Sequence, residues 1–439
     1  MSRIVNVEDT IDNLKIGRFN ISLLFWLFIV MMLDGYDITA AAFSGPHLVS
    51  DWGIDRAELG PMLGASLFGI LIGSLVLGNV GDRYGRKIGT IISCMIFGVF
   101  TLAAAWSSSL GELSILRFLA GIGIGGVFPN AVALSAEYAP KRLRATMVIL
   151  MFTGNTFGAS LPGLVSMWLV PTHGFQILFS LGGAVMIAVA VCLCFTLPES
   201  VRYLALRGNK QRTVEMLRRL DPAIDISEND QFVTHEAAGS KFHLRQLFEG
   251  KFALATPLLW LVFAINLMIF YFINSWMPTL VSTVDGTATR GVLALTIFQL
   301  GGTCGGLALS RLVDKQGLKP ITIMFCIAVP VVASLGYLAT SWPSLMLFAA
   351  FLGGFCVLGL QFGLNATPGM LYPTSCRANG AGFAFGIGRV GAVLGPVVGG
   401  ILVGMQLPIS ALYVYAAVPL IIGAVACFAL TKILKPAAA

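Results

Sequence analysis

Four ionisable residues lie inside long apolar stretches of this sequence, where they could bind protons or anions. They are Asp34 and Asp37 in the first stretch, Arg117 in the fourth and Arg389 in the eleventh. A charged side chain at the centre of a bilayer costs roughly 2.5–3.5 kcal/mol on insertion scales, so such residues usually have a functional partner. A carboxylate beside an arginine can exchange a proton, and a guanidinium can bind a carboxylate through two hydrogen bonds. The residue types therefore indicate proton and anion binding.

The spacing of Asp34 and Asp37 places both side chains on one face of a helix. Counted from Phe19, Asp37 lies roughly 27 Å along that helix. Arg117 lies near the end of the fourth apolar stretch that is predicted to be on the same side of the membrane as Asp37. The two side chains can therefore lie at the same depth and form a pair. One interpretation is a proton site, because the proton affinity of a buried carboxylate depends on its distance from an arginine. The other is a buried ion pair that only fixes helix orientation.

Arg389 lies roughly 18 Å along its helix from Arg377, near the middle of the membrane. The apolar stretches of this half of the sequence contain no acid, so we expect an anionic substrate to be its partner. A hydrogen bond from Arg389 to a helix backbone is the alternative. Polar and aromatic residues at similar depth could line a cavity around an aromatic ring, although ordinary packing is the alternative for each: Asn130, Tyr271, Asn274, Gln299, Gln361 and Asn365.

The elements that carry these residues are predicted to be membrane-spanning helices. Of 439 residues, 56% are hydrophobic and 11% are charged, whereas soluble domains average about 25% charged residues. The apolar residues recur in blocks of about 20, the length of helix that crosses a hydrocarbon core about 30 Å thick. Twelve spans are predicted: 19–44, 57–78, 88–110, 112–136, 145–169, 174–197, 252–281, 290–310, 320–340, 343–370, 378–403 and 408–431.

One long polar stretch divides the spans into two groups of six. We therefore predict a cytoplasmic N-terminal segment over 1–18, a six-helix bundle over 19–197, a cytoplasmic linker over 198–251, a second six-helix bundle over 252–431 and a cytoplasmic tail over 432–439. The basic, amphipathic part of the linker, 207–219, is expected to form short surface helices. The predicted fold class is an all-α membrane protein.

A weak internal repeat indicates that the two bundles are pseudo-symmetric. Asp82-Arg83-Tyr84-Gly85 after the second span recurs as Asp314-Lys315-Gln316-Gly317 after the eighth. Arg144-Ala145 before the fifth span recurs as Arg377-Ala378 before the eleventh, at nearly the same offset. Two unrelated landmarks that share an offset indicate duplicated halves.

The distribution of positive charge predicts the orientation. All but four of the 28 Lys and Arg residues lie in segments on the side of the N-terminus; the exceptions are Arg56 and Arg290 on the other side, and Arg117 and Arg389 within spans. Short cytoplasmic loops retain positive charge, so both termini should be cytoplasmic. The net charge of +7 follows from this bias and does not indicate nucleic-acid binding. No basic leader precedes Phe19, so a cleaved signal is not expected.

The sharpest motif is Gly78-Asn79-Val80-Gly81-Asp82-Arg83-Tyr84-Gly85-Arg86-Lys87, a predicted tight turn after the second span. Its spacing resembles the signature of the major facilitator superfamily, although an ordinary basic loop is the alternative. The resemblance implies that Gly78, Asp82, Arg83, Gly85 and Arg86 form a cytoplasmic latch that holds the outward-open state. Asp314 belongs to the second copy of this latch, which departs from the pattern at Ser310 and at Leu318-Lys319.

Further motifs extend the resemblance over almost the whole chain. Arg117-x-x-x-Gly121-x-Gly123-x-Gly125, Pro198-Glu199-Ser200-x-Arg202 and Tyr372-Pro373-Thr374-x-x-Arg377 resemble signatures of the superfamily. Asp34-Gly35-Tyr36-Asp37, with Pro129-Asn130 and Glu137-Tyr138-x-Pro140, resembles the aromatic acid:proton symporter branch. Members of that branch carry benzoate-like, hydroxycinnamate-like or muconate-like acids.

The sequence therefore predicts a secondary transporter that takes up a small aromatic carboxylate with protons by alternating access. We expect a functional monomer in a bacterial inner membrane, whose partners are the acid, the proton and lipid, without a cofactor or metal. Alternatives are a transporter of another organic acid or of a sugar-like solute, or a channel or membrane sensor. An enzyme is not expected, because the sequence has no nucleophile-base pattern, metal-ligand cluster or phosphate-binding loop.

Overall fold

The computed structural model describes residues 4–434 except 13, 15, 223, 225, 235–243, 251, 286–287 and 373–375. Within these residues the chain is nearly all helical. The long helices are α2 (Arg18–Trp52), α3 (Leu59–Tyr84), α4 (Arg86–Ala104), α5 (Leu110–Glu137), α6 (Arg144–Trp168), α8 (Gln176–Thr196), α11 (Phe252–Asp285), α12 (Ala288–Gln316), α13 (Lys319–Ser341), α14 (Pro343–Leu371), α15 (Arg377–Gly404) and α16 (Ile409–Leu434). The short elements are β1 (Ile4–Asn6), α1 (Val7–Asp12), α7 (Val170–His173), α9 (Val201–Leu206), α10 (Lys210–Leu220) and β2 (Gln231–Val233).

Twelve helices among the described residues are long and apolar enough to cross a membrane, which confirms the predicted fold class. Helices suit this environment because every backbone N–H and C=O finds its partner within the same segment. Several helices run further than the sequence indicated, among them α2 and α3. α2 continues through Pro46 to Trp52, and α3 continues through the latch motif to Tyr84. The predicted turn between the second and third spans is therefore reduced to the single residue Gly85.

The chain divides into two compact units that do not coincide with the predicted bundles. Unit 1 contains residues 1–37, 69–158 and 179–240, and unit 2 contains residues 38–68, 159–178 and 241–439. Most of the dividing points lie inside helices, namely α2, α3, α6 and α8. The proposed boundaries at 198 and 251 remain a prediction.

In unit 1, α4 packs along α5, and the short elements α1, α9, β1 and β2 contact one another. β1 pairs in parallel with β2, so that Ile4 aligns with Gln231 and Asn6 with Val233. The side chain of Asn6 accepts hydrogen bonds from the N–H groups of Glu8 and Asp9 and so caps α1. The basic linker segment predicted to be helical contains nearly all of α10, whereas α9 ends just before it.

In unit 2, α11 packs on α15, α12 on α14 and α13 on α16. The second half of α2 and the first half of α3 belong to this unit and contact α11 and α15. A Cβ added at Gly60 would lie 2.9 Å from Gly400 Cα, and one at Gly45 would lie 2.7 Å from Thr279 Oγ1. The predicted outer ends of the first two spans are therefore closely packed against the helices of the second half of the sequence.

Candidate functional site

A fully buried ion pair joins Asp37 on α2 to Arg117 on α5. Arg117 donates from Nη1 to Asp37 Oδ1 at 2.8 Å and from Nη2 to Asp37 Oδ2 at 2.7 Å. Each side chain is only 1% exposed. The two residues therefore form the pair that their shared depth predicted, in the two-bond geometry that is strongest for arginine and carboxylate.

Two further side chains complete the surroundings of this pair. Thr101 on α4 donates from Oγ1 to Asp37 Oδ1 at 3.0 Å. The Arg117 guanidinium carbon lies 5.5 Å from the centre of the Phe179 ring on α8, within cation–π range. Asp37 Oδ1 thus accepts two hydrogen bonds, while Oδ2 accepts from Arg117.

The start of α5 determines where Arg117 lies. Ser109 Oγ accepts a hydrogen bond from the N–H of Glu112 at 3.2 Å, and Glu112 Oε2 accepts one from the N–H of Ser108 at 2.9 Å. Such reciprocal capping fixes the first turn of a helix. Arg117 follows about two turns later, at the depth of Asp37, which lies just past the middle of α2.

Asp34 lies one turn before Asp37 and is 7% exposed. Asn155 on α6 donates from Nδ2 to Asp34 Oδ2 at 3.0 Å. Sequence reasoning missed both Asn155 and Thr101. Their only signal was a polar side chain within an apolar stretch, which many packing residues share.

The predicted cavity residues of unit 2 form two separate amide groups. In the first, Asn266 donates to Gln361 Oε1 at 3.0 Å, and Gln361 donates to Asn365 Oδ1 at 2.9 Å. In the second, Gln299 donates to Asn274 Oδ1 at 2.6 Å, and both residues are at most 2% exposed. Asn266 was not predicted, although it links α11 to α14.

Arg389 and Tyr271 are half-buried and belong to the same unit. Arg389 follows Gly388, where an added Cβ would lie 2.9 Å from Leu267 Cδ1 on α11. The ring centre of Tyr271 lies 4.8 Å from that of Phe270. The structure thus places Arg389 beside the part of α11 that carries Asn266.

The latch residues lie together at the junction of α3 and α4. Asp82 forms an ion pair with Arg86, and Gly85 adopts φ 113°, which favours glycine. Glu199 Oε1 accepts from the N–H of Lys87 at 3.1 Å. The carbonyl of Arg83 accepts from Arg207 Nη2 at 2.6 Å. The residues on either side of α9 therefore anchor this turn.

Asn130 lies with the latch, and its role in lining a substrate cavity stays a prediction. It is fully buried on α5 and donates from Nδ2 to the carbonyls of Leu77 at 3.2 Å and Gly126 at 2.8 Å. Arg86 Nη1 donates to Asn130 Oδ1 at 3.3 Å. A Cβ at Gly78 would lie 3.4 Å from Pro129 Cγ, so α3 and α5 are in close contact here.

The second latch copy and one loop motif lie partly outside the described residues. Asp314 lies on α12, but its side chain is outside the described residues. Pro373 and Thr374 of the motif after the tenth span are also outside them. The predicted roles of these residues stay predictions.

Twelve helices in the described part of the chain that are long and apolar enough to span a membrane, with a buried ion pair between two of them, indicate an integral membrane protein. The family model described as Major Facilitator Superfamily matches residues 27–333 and 287–438. The chain therefore belongs to the major facilitator superfamily.

Similar proteins of assigned function are transporters of aromatic acids. The chain is 34% identical to the 4-hydroxybenzoate transporter PcaK of Acinetobacter baylyi, over 97% of this chain and 94% of that protein. It is 33% identical to the gallate transporter of Pseudomonas putida, over 97% and 95% of the two chains. The predicted resemblance to aromatic acid transporters is confirmed, and the chain is a transporter and not an enzyme.

Solved structures support the same fold. A crystal structure of a D-xylose-proton symporter superposes with a TM-score of 0.74, covers 94% of this chain and 98% of that chain, and shares 16% sequence identity. At this identity the likeness concerns the fold alone.

Proposed function

We propose that this chain takes up an aromatic carboxylate together with a proton, by alternating access. The acid is proposed from the relatives named for 4-hydroxybenzoate, gallate and benzoate. Coupling is proposed from the buried pair of Asp37 and Arg117, which is the observation that carries the proposal. The protein would act as a monomer in a bacterial inner membrane, with both termini in the cytoplasm.

The coupling step follows from the charge of the pair. A proton on Asp37 removes one of the two charges, and a buried guanidinium without its counter-charge is unstable in place. Protonation of Asp37 therefore favours movement of Arg117 away from α2. Thr101 remains within hydrogen-bonding distance of the protonated carboxyl group. Because α2 and α5 carry the two partners, protonation is linked to the relative position of helices.

The anion needs a positive partner of its own. Arg389 on α15 is half-buried within a spanning helix, and its planar guanidinium can bind a carboxylate in two hydrogen bonds. Asp34, which accepts a hydrogen bond from Asn155, is a candidate second proton site or a substrate contact. A monoanion carried with one proton is electroneutral, whereas two protons would make transport electrogenic.

Close packing in unit 2 supports alternating access. The early part of α3 meets α15 at Gly60 and Gly400 without room for a side chain. On the predicted outer side these segments would have to separate before substrate could enter from outside. Such an interface can exist in a closed and an open arrangement.

The test is uptake of labelled 4-hydroxybenzoate into proteoliposomes, with and without an inward proton gradient. We expect saturable uptake, accumulation that requires the gradient, and acceleration by unlabelled acid on the opposite side. Equal rates with and without the gradient would exclude proton coupling. Conductance that does not saturate would favour a channel, and uptake of a sugar in preference to any acid would exclude the proposed substrate class.

A further inference from the structure

The hydroxyl group of Thr101 does not bond to its own helix, unlike other hydroxyl groups in the spanning helices of unit 1. Thr90, Ser93 and Ser114 each donate to the carbonyl four residues back, at 2.8, 2.6 and 2.7 Å. This bond is common for serine and threonine within helices. Thr101 lies on the same helix as Thr90, is 1% exposed and donates to Asp37 Oδ1 at 3.0 Å. Its hydroxyl group therefore stabilises a buried carboxylate.

The packing of α4 against α8 holds the Thr101 side chain in this orientation. A Cβ added at Gly182 on α8 would lie 3.9 Å from Thr101 Cγ2, and one at Gly183 would collide with the backbone of Leu102. The methyl group of Thr101 thus faces α8, while the hydroxyl group on the same Cβ faces Asp37. Because a β-branched side chain is stiff at χ1, the direction of the hydroxyl group follows from the packing of the two helices.

The two oxygens of Asp37 are not equivalent. A carboxylate oxygen has about two lone-pair sites for hydrogen bonds. Oδ1 accepts from Arg117 Nη1 at 2.8 Å and from Thr101 at 3.0 Å. Among the described residues, Oδ2 accepts only from Arg117 Nη2, at 2.7 Å. Oδ2 is therefore the oxygen with a lone pair available for a proton.

The groups around Asp37 differ in whether they stay when the carboxylate is protonated. The polar and ionisable groups come from several helices: Asp34 and Tyr36 on α2 itself, Thr101 on α4, and Arg117 on α5, which stacks on Phe179 of α8. Cys94 of α4 and Asn155 of α6 lie nearer to Asp34. In the proposed coupling step Arg117 moves away from Asp37. Thr101 is then the contact that Asp37 keeps in both protonation states.

We infer that Thr101 sets the proton affinity of Asp37 and directs the proton to Oδ2. This inference rests on the proposed function, in which Asp37 is the coupling residue. A hydrogen bond to a carboxylate is stronger than one to the carbonyl of its protonated form, so Thr101 favours the charged state. On protonation a proton from water binds to Oδ2, and Oδ1 remains as a C=O group that accepts from Thr101. Thr101 is thus a positioning residue that acts on coupling through Asp37.

The experiment titrates Asp37 directly in the full-length protein reconstituted in lipid. Infrared difference spectroscopy follows the C=O stretching band of the protonated carboxyl group, which is assigned by its loss in Asp37→Asn. The proteins compared are the wild type, Thr101→Val, Thr101→Ser and Thr90→Val. Valine removes the hydroxyl group at nearly the same volume, and serine keeps it. Thr101→Ala replaces the valine variant if that protein does not fold.

Thr90→Val is the matched control, because it is the same substitution on the same helix and removes a hydroxyl group that donates only to the backbone carbonyl of Arg86. Uptake of labelled 4-hydroxybenzoate is measured over the same pH range. It separates a general loss of transport from a change in proton affinity.

In Thr101→Val the midpoint of the Asp37 titration should rise by about one pH unit, which is about tenfold in proton affinity, because the charged form loses more than the protonated form. The band should also move to higher frequency, since its C=O group has lost a hydrogen bond. Thr101→Ser and Thr90→Val should keep the wild-type midpoint and band.

An unchanged midpoint in Thr101→Val would overturn the inference, even if transport slows, because Thr101 would then have only a structural role. A raised midpoint with an unchanged band frequency would overturn the assignment of the proton to Oδ2. Both results leave the proposed function intact. A wild type without any band that Asp37→Asn removes would overturn the inference and the proposed coupling together.

Discussion

Replacing Asp37 by asparagine tests the coupling site with the smallest possible change of shape. The substitution keeps the size of the side chain and one oxygen, but it removes the charge and presents an NH2 group to Arg117. Arg117 is 1% exposed, so water cannot replace the lost oxygen. The variant mimics a permanently protonated carboxyl group.

The expected cost in stability follows from the burial of the pair. Breaking a buried ion pair by removing one partner typically costs about 3–5 kcal/mol. The introduced amide would retain one acceptor for Arg117, so we expect a loss near the lower end of that range. Arg117→Gln combined with Asp37→Asn should recover part of it, because no uncompensated charge remains. Thermal unfolding in detergent measures both variants.

The expected effect of Asp37→Asn on proton coupling is larger than its effect on stability. For one proton per monoanion, a pH difference of one unit supplies roughly 1.4 kcal/mol, which supports about tenfold accumulation. Asp37→Asn has no proton to release, so accumulation should fall to equilibration while exchange of labelled for unlabelled acid persists. A second proton would add roughly 2.3 kcal/mol per 100 mV of membrane potential. Asp34→Asn, measured in parallel, tests whether Asp34 supplies that site.

The assay uses proteoliposomes with the pH difference and the potassium diffusion potential set independently. Continued accumulation by Asp37→Asn under the pH gradient would refute the coupling role, and the pair would then be structural. Loss of exchange together with accumulation, in protein that still binds substrate, would show that the pair is needed for the conformational change itself.

Three further outcomes are expected. Asp82→Asn removes the ion pair with Arg86, so transport should slow while substrate affinity in detergent stays nearly intact; an equal loss of affinity would contradict this. Arg389→Lys keeps the charge but loses the two-bond geometry, so affinity for the acid should fall by about 1.5–3 kcal/mol, and unchanged binding would remove Arg389 from the site. Gly60→Ala places a Cβ 2.9 Å from Gly400 Cα, so the packed arrangement should be disfavoured. Val49 on α2 lines a cavity together with Leu280 of α11 and Val403 of α15, so labelling of a cysteine introduced at Val49 should rise. Gly111→Ala, where an added Cβ meets nothing within 4 Å, should leave that labelling unchanged.

Much of the fold could be read from composition and block length. Segments of about 20 apolar residues must be helical in lipid, so the existence of twelve spans followed without any tertiary information. Their ends were less well determined. The continuation of α2 past Pro46 and of α3 to Tyr84 depends on packing, which overrides the local turn signals. The pairing of β1 with β2 had no sequence signal, because three-residue strands far apart carry no recognisable pattern.

Depth along a helix is a property of the sequence, because each residue advances it by about 1.5 Å. That arithmetic was sufficient to place Asp37 and Arg117 at one level. Counting residues along a helix does not give the rotation of the helix about its axis or the identity of its neighbours. Asn130 has a suitable depth but faces Arg86 and the carbonyl of Leu77, because α3 and α5 meet there.

The tertiary structure alone decided which polar side chains became partners. Gln361 pairs with Asn266 across two helices, and Asn274 pairs with Gln299, although each of these amides had several candidates of equal depth. A buried amide needs a hydrogen-bond partner within about 3 Å, and only the packing of particular helix faces brings two amides that close. The charges and their depths are therefore encoded locally, whereas the contacts that make them a site arise from the way the helices pack.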